Sequence, residues 1–465
     1  MKIKFLGGVH EVTGSTHILM TDKSAVMRDC GMFQGHRAEA REKNIHVLDN
    51  VKKLDAVVLS HAHIDHSGNI PALNRINYTG PIHTTHATAD LCEYMLRDSA
   101  HIQELDAKYL NKKLARKNEP LIEPIYSIED VENILPLFKG HDYHKKIQIT
   151  DDIAITAYDA GHVLGAALHI FDVNDNGTHK KIGYAFDLGR KNLPILNDVE
   201  QINDIDALVI ESTYGNRLHD DIRDAADQLA EAINRTYKRG GKIIIPSFAL
   251  ERSQEILYTL EKLVGEQRIP KLPVYLDSPL AVKVTDVFRR HSEIFDRETS
   301  ELLKSGGEFL GDSAVTCTQS VDESIALNED KRSMIIISAS GMCEAGRILH
   351  HLKNNIEDER NTVLIVGYQA QHTLGRRIVE KNEEVKIFGK PYKLNAEVVV
   401  LNTFSGHADR NDLLNYVDNI STRCKTFVFV HGEEDALGDF ANTVKYRRPD
   451  DVRIEIPNIG DEIEL

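Results

Sequence analysis

The chain alternates short apolar runs with polar, glycine-bearing loops. Residues 1–60 carry several such runs separated by glycine-rich turns, which predicts successive strands. Residues 55–59 (Asp-Ala-Val-Val-Leu) read as a buried strand, and residues 147–157, 181–186 and 207–210 repeat the pattern. Between residues 85 and 114 apolar positions are interspersed with charges and no proline intervenes, predicting a long helix. Ser127, with Asp130 three residues on, has the form of a helix start. From about residue 216 to 395 the texture changes. The very apolar runs 242–245, 274–276, 334–337 and 363–366 alternate with helical stretches such as 251–264 and 280–291. This predicts βα units around a largely parallel sheet. Strands are expected again at 397–401 and 426–430. The expected organisation is a first domain over 1–215, an inserted α/β domain over 216–395, and a segment 396–465 that completes the first.

Composition narrows the class. The 465 residues are 41% hydrophobic, enough for folded cores in two domains. The formal net charge of -16 argues against a broad nucleic-acid-coating surface, though a metal-lined cleft is locally positive. Lys108, Lys112, Lys113, Arg116 and Lys117 read as a solvated helix face rather than a nucleic-acid contact. The 5 cysteines are scattered and odd in number, which fits reduced thiols in a cytoplasm. The first residues show no signal peptide, and no run reaches the roughly 18 apolar residues of a membrane helix.

The chemistry gathers behind the strand at 55–59. Ser60-His61-Ala62-His63-Ile64-Asp65-His66 places four potential metal ligands within six residues. His61 and His63 share a face of extended backbone and can reach one cation, while Asp65 and His66 turn toward a second position. Imidazoles with a carboxylate suit zinc. Later strand ends add candidates. His162 follows Gly161 as a third ligand, and Asp187 brings a carboxylate able to bridge two cations. Glu211, His407 and His431 also sit in loops at or after strands. Asp29 closes a strand at 25–28 and either orients a ligand histidine or forms a turn. In the inserted domain, the loop with Ser338, Ser340 and Gly341 and the loop with Tyr368, Thr373 and Arg376 each follow a strand. Each reads equally as a phosphate cradle or as an ordinary strand-to-helix connection.

His61-Ala62-His63-Ile64-Asp65-His66, then Gly161-His162, then Asp187, resembles the metallo-β-lactamase superfamily signature. The large insert, Glu211 in Glu-Ser-Thr-Tyr-Gly, His407 in Ser-Gly-His-Ala-Asp and His431 in Val-His-Gly-Glu resemble its β-CASP branch of RNA-processing nucleases. The resemblance implies an α/β fold, an αββα sandwich with an inserted Rossmann-like β-CASP domain. It implies two zinc ions, with manganese as the alternative metal. One would be held by His61, His63 and His162, the other by Asp65, His66 and His431, with Asp187 bridging. The implied activity is hydrolysis of single-stranded RNA by a hydroxide shared between the metals, leaving a 5′-phosphate and a 3′-hydroxyl. His407 would protonate the leaving oxygen, Glu211 would orient His407, and Ser338, Ser340, Gly341, Tyr368, Thr373 and Arg376 would grip backbone phosphates. Rival expectations are a small-molecule metallohydrolase, a DNA-directed nuclease and a non-catalytic scaffold. Endonuclease or 5′-exonuclease mode stays open, as does a homodimer; no membrane partner is expected.

Overall fold

The computed structural model describes residues 1–305, 315–367, 369, 372–448 and 451–465. They form two compact units. The first comprises Met1–Lys191, Asp198–Leu218 and His407–Leu465; the second comprises Asn192–Asn197 and His219–Gly406. Among the described residues, no helix is long and apolar enough to cross a membrane.

The first unit holds two seven-stranded sheets. One runs Glu462–Glu464, Lys2–Gly7, Thr16–Met20, Ala25–Arg28, Ala56–Val58, Ile82–Thr85, Phe138–His141 in spatial order. The other runs Arg453–Glu455, Thr426–Val430, Ala207–Glu211, Thr178–Ala185, Ala167–Asp175, Ile153–Asp159, Lys146–Gln148. Side chains from both sheets meet in one core, with Phe5, Leu19 and Val58 from the first and Phe171, Tyr184 and Val430 from the second. The two faces therefore bury each other, which is what continuous apolar strands require.

Three strands of the second sheet are mutually parallel: Thr178–Ala185 with Ala207–Glu211, and Ala207–Glu211 with Thr426–Val430. Parallel pairing brings their C-terminal ends to one edge of the sheet, so Asp187, Glu211 and His431 emerge together. In the first sheet Ala25–Arg28 and Ala56–Val58 are also parallel, which places Asp29 beside Ser60 and His61.

The second unit is built on a six-stranded parallel sheet in the order Val315–Cys317, Val274–Leu276, Ile335–Ser338, Ile243–Pro246, Thr362–Val366, Glu397–Leu401. Its central strands are buried along their whole length. Ile244, Ile336, Val363 and Ile365 pack with Leu352, Leu374 and Ile378 of the helices.

Several boundaries differ from the sequence expectation. Glu397–Leu401, expected with the first domain, is the edge strand of this second sheet, paired with Thr362–Val366. The run at 147–157 is a hairpin, Lys146–Gln148 and Ile153–Asp159, turned at Thr150-Asp151-Asp152. A helix at Arg37–His46 was not expected, because it carries almost no apolar periodicity. The long helix is His86–Arg116, with the Thr85 hydroxyl accepting from the Thr88 amide. Ser127 and Asp130 form a full capping box.

Candidate metal centre

His61, His63, His162 and Asp187 offer ligand atoms that all lie within 4.8 Å of one another. So do Asp65, His66, Asp187 and His431. Asp187 is the shared member. Its Oδ2 lies 3.3 Å from His61 Nε2, 3.3 Å from His66 Nε2 and 3.6 Å from His162 Nε2, and its Oδ1 lies 3.3 Å from His431 Nδ1.

The donor set fits divalent cations. His63 Nδ1 is 3.1 Å from His61 Nε2 and 3.3 Å from His162 Nε2. His66 Nε2 and His431 Nε2 are 3.2 Å apart. Ring nitrogens converging this closely need either a shared proton or a cation between them, and a cation satisfies several at once. Burial, with His61 next, pushes the His63 imidazole down to about 3, and burial likewise lowers His61 and His162. Neutral imidazole is the form that ligates metal. His66 differs. Burial opposes its charge, but Asp187 and Asp29 raise it well above the usual range. Burial also opposes ionisation of Asp187, yet His66 and His431 hold its carboxyl well below the usual carboxylate range.

A hydrogen-bonded shell fixes these ligands. Asp29 Oδ2 lies 2.7 Å from His66 Nδ1 and accepts from the Ser60 hydroxyl at 2.9 Å, which is itself 2.9 Å from His61 Nδ1. Asp29 Oδ1 accepts from the Ser60 amide at 2.7 Å and from the buried Arg28 guanidinium at 2.6 Å. One carboxylate thus orients a histidine of each ligand set. Ser60, Arg28 and Thr213, whose hydroxyl lies 3.2 Å from His431 Nδ1, were not singled out from sequence. Each stands close in sequence to a candidate residue, Ser60 beside His61, Arg28 beside Asp29 and Thr213 two after Glu211.

His407 and Glu211 complete the rim. The Leu188 amide donates to Glu211 Oε1 at 2.5 Å, and Glu211 Oε2 is 3.5 Å from His407 Nδ1. The Ala408 amide donates to the Leu188 carbonyl at 2.7 Å, which ties His407 to the loop that carries Asp187. His407 packs on His162, ring centroids 4.5 Å apart, and retains 23% side-chain exposure while Glu211 has none.

The expected phosphate-gripping residues lie in the second unit and are engaged locally. The Ser338 hydroxyl is buried and donates to the Asp277 carbonyl at 2.9 Å. The Ser340 hydroxyl accepts from the Glu344 and Ala345 amides. The Gly341 carbonyl accepts from Gln369 Nε2 at 3.0 Å, and a Cβ there would meet the Phe248 ring at 2.7 Å. Thr373 caps the helix Leu374–Val379, and Arg376 pairs with Glu380 at 2.7 Å. Tyr368 lies outside the described residues. The Gly375 amide donates to the Met342 carbonyl at 3.1 Å, so the two loops are joined to each other.

Comparison with known proteins bears on the same regions. The family model for a metallo-beta-lactamase superfamily domain matches residues 18–213. One for a Beta-Casp domain matches 253–378, and one for a Zn-dependent metallo-hydrolase RNA specificity domain matches 391–457. Ribonuclease TTHA0252 of Thermus thermophilus is 35% identical over 437 residues, covering 94% of this chain and 94% of its own. An RNase J-like protein of Methanocaldococcus jannaschii is 32% identical, covering 95% of each chain. Transcription termination factor FttA of Methanosarcina mazei is 31% identical over 96% of this chain and 69% of its own. A solved structure of a protein of unknown function from Enterococcus faecalis superposes with a TM-score of 0.54 at 16% identity, over 100% of this chain and 99% of that one, and supports the fold alone.

Proposed function

The chain belongs to the metallo-β-lactamase superfamily, in the branch with an inserted β-CASP domain, and from that premise we propose that it is a metal-dependent ribonuclease. The observation that carries the reading is Asp187, one carboxylate common to two ligand sets with the His407–Glu211 pair beside it. Relatives along nearly the whole chain are named as ribonucleases, and the C-terminal match is to an RNA specificity domain.

In this reading two zinc ions occupy the centre, with manganese as the alternative. His61, His63 and His162 would hold one, Asp65, His66 and His431 would hold the other, and Asp187 would be available to both. Bound there, the cations supply the lowered water pKa and the positive field that phosphodiester hydrolysis needs. The chain's own groups do the rest. Asp29 and Ser60 keep His66 and His61 in register. His407 delivers a proton to the leaving oxygen, and Glu211 keeps the imidazole oriented and protonated. Because His61 and Asp187 are almost fully buried, the scissile phosphate has to reach inward. A flexible single strand does this more readily than a rigid duplex, so single-stranded RNA is the proposed substrate. Among the described residues the five cysteines form no disulfide, which supports a reducing compartment such as the cytoplasm.

A 5′-end-labelled single-stranded RNA digest, with and without chelator and with elemental analysis, tests the proposal. The expected result is chelator-sensitive cleavage to 5′-phosphorylated products with two ions per chain. Release of mononucleotides first marks a 5′-exonuclease, and internal fragments mark an endonuclease. Intact RNA alongside turnover of a thioester or lactone overturns the ribonuclease reading; preferential cleavage of DNA overturns its substrate.

A further inference from the structure

We propose that the outward face of the helix His86–Arg116 is a self-association surface, on which a second copy of this chain packs its own helix antiparallel across a two-fold axis. The inference stands independently of the proposed activity.

The helix is covered on one side only. Segment 122–128 lies along it. The Tyr126 hydroxyl donates to Ser99 Oγ at 2.8 Å and the Ile125 amide donates to Gln103 Oε1 at 3.2 Å. Asn111 exchanges two hydrogen bonds with the Ile122 backbone, at 2.8 and 2.9 Å. Ala107, on the same side, is buried.

The opposite face carries Asp98, Ile102, Leu105, Tyr109, Lys112 and Arg116. Their spacing alternates four and three residues, the repeat that keeps one seam of a helix facing a partner helix. The three middle positions are large and apolar, yet Ile102 is 46% exposed, Leu105 52% and Tyr109 56%. Lone exposed apolar residues are ordinary, but three in succession along one seam form a contiguous patch. Lys113 lies over the Tyr109 ring at 4.5 Å and flanks the seam.

The ends of the seam identify the occupant. It is acidic at Asp98 and basic at Lys112, Lys113 and Arg116, and among the described residues none of these three cations is in an ion pair. A two-fold axis at the level of Leu105 stacks Leu105 on Leu105 of the second copy. It sets Ile102 against Tyr109 of the second copy, and Asp98 against Lys112 and Lys113 of the second copy. Both ends of the pair then match acid to base. A parallel pairing would instead oppose like charges at each end. The seam is therefore complementary to itself in the isologous sense that two-fold dimers require. A nucleic-acid strand would use the cations but not Ile102 and Leu105, and the chain's net charge of -16 disfavours a polyanion.

Sedimentation velocity of the full chain over a concentration series tests this with four variants. They are Leu105→Glu, Asp98→Lys, Lys112→Asp with Lys113→Asp, and the triple charge exchange. The wild type is expected to dimerise reversibly. Leu105→Glu should weaken the dimer by at least about tenfold, as central apolar anchors do. Asp98→Lys and the double lysine variant should each weaken it, and the triple exchange should restore it. Circular dichroism should be unchanged by Leu105→Glu, and so should melting at concentrations where both proteins are monomeric, because Leu105 is exposed. A wild type that stays monomeric overturns the proposal. So does a dimer indifferent to Leu105→Glu, or a triple exchange that fails to rescue. Loss of single-stranded oligonucleotide binding in the double lysine variant, with association unchanged, also overturns it and assigns the face to RNA.

Discussion

Glu211 Oε2 stands 3.5 Å from His407 Nδ1, and this contact favours the protonated imidazole. Burial works against protonation of His407, but Glu211 outweighs it, with Asp187 and Asp65 adding, and the imidazole is pushed up to about 9. A proton donor acts only while protonated, so turnover should hold below this value and fall as pH rises through about 9. Glu211→Gln removes the anion and leaves the burial. The alkaline limb should then move down toward or below imidazole's ordinary value of about 6.5. His407→Ala should lower kcat by about 10²–10⁴-fold, the usual worth of a general acid, with both metals retained. The check is a kcat–pH profile for each protein with metal content measured in parallel. An unmoved limb in Glu211→Gln assigns that limb to another group, and metal loss in His407→Ala makes His407 a ligand.

Asp29 has a backbone φ of 56°, a left-handed conformation that asparagine also tolerates. Asp29→Asn therefore keeps the backbone and removes the charge. His66 loses its anionic partner, Ser60 loses its acceptor's charge, and the fully buried Arg28 is left without its counterion. Metal affinity should fall about 10–100-fold, as it does when the partner of a ligand histidine is lost. Stability should fall by about 3 kcal/mol, the cost of an unpaired buried charge. Chelator competition and urea unfolding separate the two effects. Wild-type affinity in a destabilised variant would restrict Asp29 to a folding role.

Much of the candidate metal centre was legible because its residues close apolar strands. His61 to His66 are also near neighbours in sequence. Parallel pairing then converts strand ends into neighbours, so a pattern of runs already contains the constellation. The second unit was less legible. A hydroxyl such as that of Ser338 looks free in a sequence, but its partner is the Asp277 carbonyl, brought there by pairing of Val274–Leu276 with Ile335–Ser338. Residues 397–401 read as a strand, and they are one. An apolar run does not say which of two sheets it joins, and these residues joined the second unit. Asp277 itself was missed, although it directly follows the apolar run 274–276.

Asp277 is fully buried and pairs with Arg347 at 2.6 Å, His351 at 2.5 Å and Ser324 at 2.5 Å, with Thr318 as a fourth partner. Burial favours the neutral acid, but these partners, His351 foremost, hold the carboxyl well below the usual carboxylate range. A carboxyl depressed on folding stabilises above its unfolded value of about 3.9 and loses that contribution as pH falls below it. The second unit should therefore melt lower as pH drops below about 4. Asp277→Asn should destabilise at neutral pH by about 3 kcal/mol and show a shallower acid slope. Melting temperatures across the acid range, compared between the two proteins, give the result. Equal acid slopes would place the acid sensitivity elsewhere.

Gly189 joins three loops of the metal centre. Its amide donates to the Ala160 carbonyl at 2.8 Å, it bridges to His407, and it follows Asp187 by two residues. A Cβ at Gly189 would stand 1.7 Å from the Gly161 carbonyl oxygen and 2.1 Å from its carbon. Both are backbone atoms, so neither can rotate aside. Gly189 is not among the residues with positive φ, so the constraint is close approach rather than backbone conformation. Gly189→Ala must push residues 160–162 outward and carry the His162 imidazole away from Asp187, now 3.6 Å distant. The His61–His63–His162 set should lose about 10–100-fold in metal affinity, the scale seen when a ligand is misoriented. The two sheets, whose core lies away from this contact, should keep their circular dichroism. Gly265→Ala is the control, because a Cβ there meets nothing within 4 Å and its φ is ordinary. It should bind metal as the wild type does. Full affinity in Gly189→Ala would mean that the His162 loop can retreat without taking its ligand out of reach.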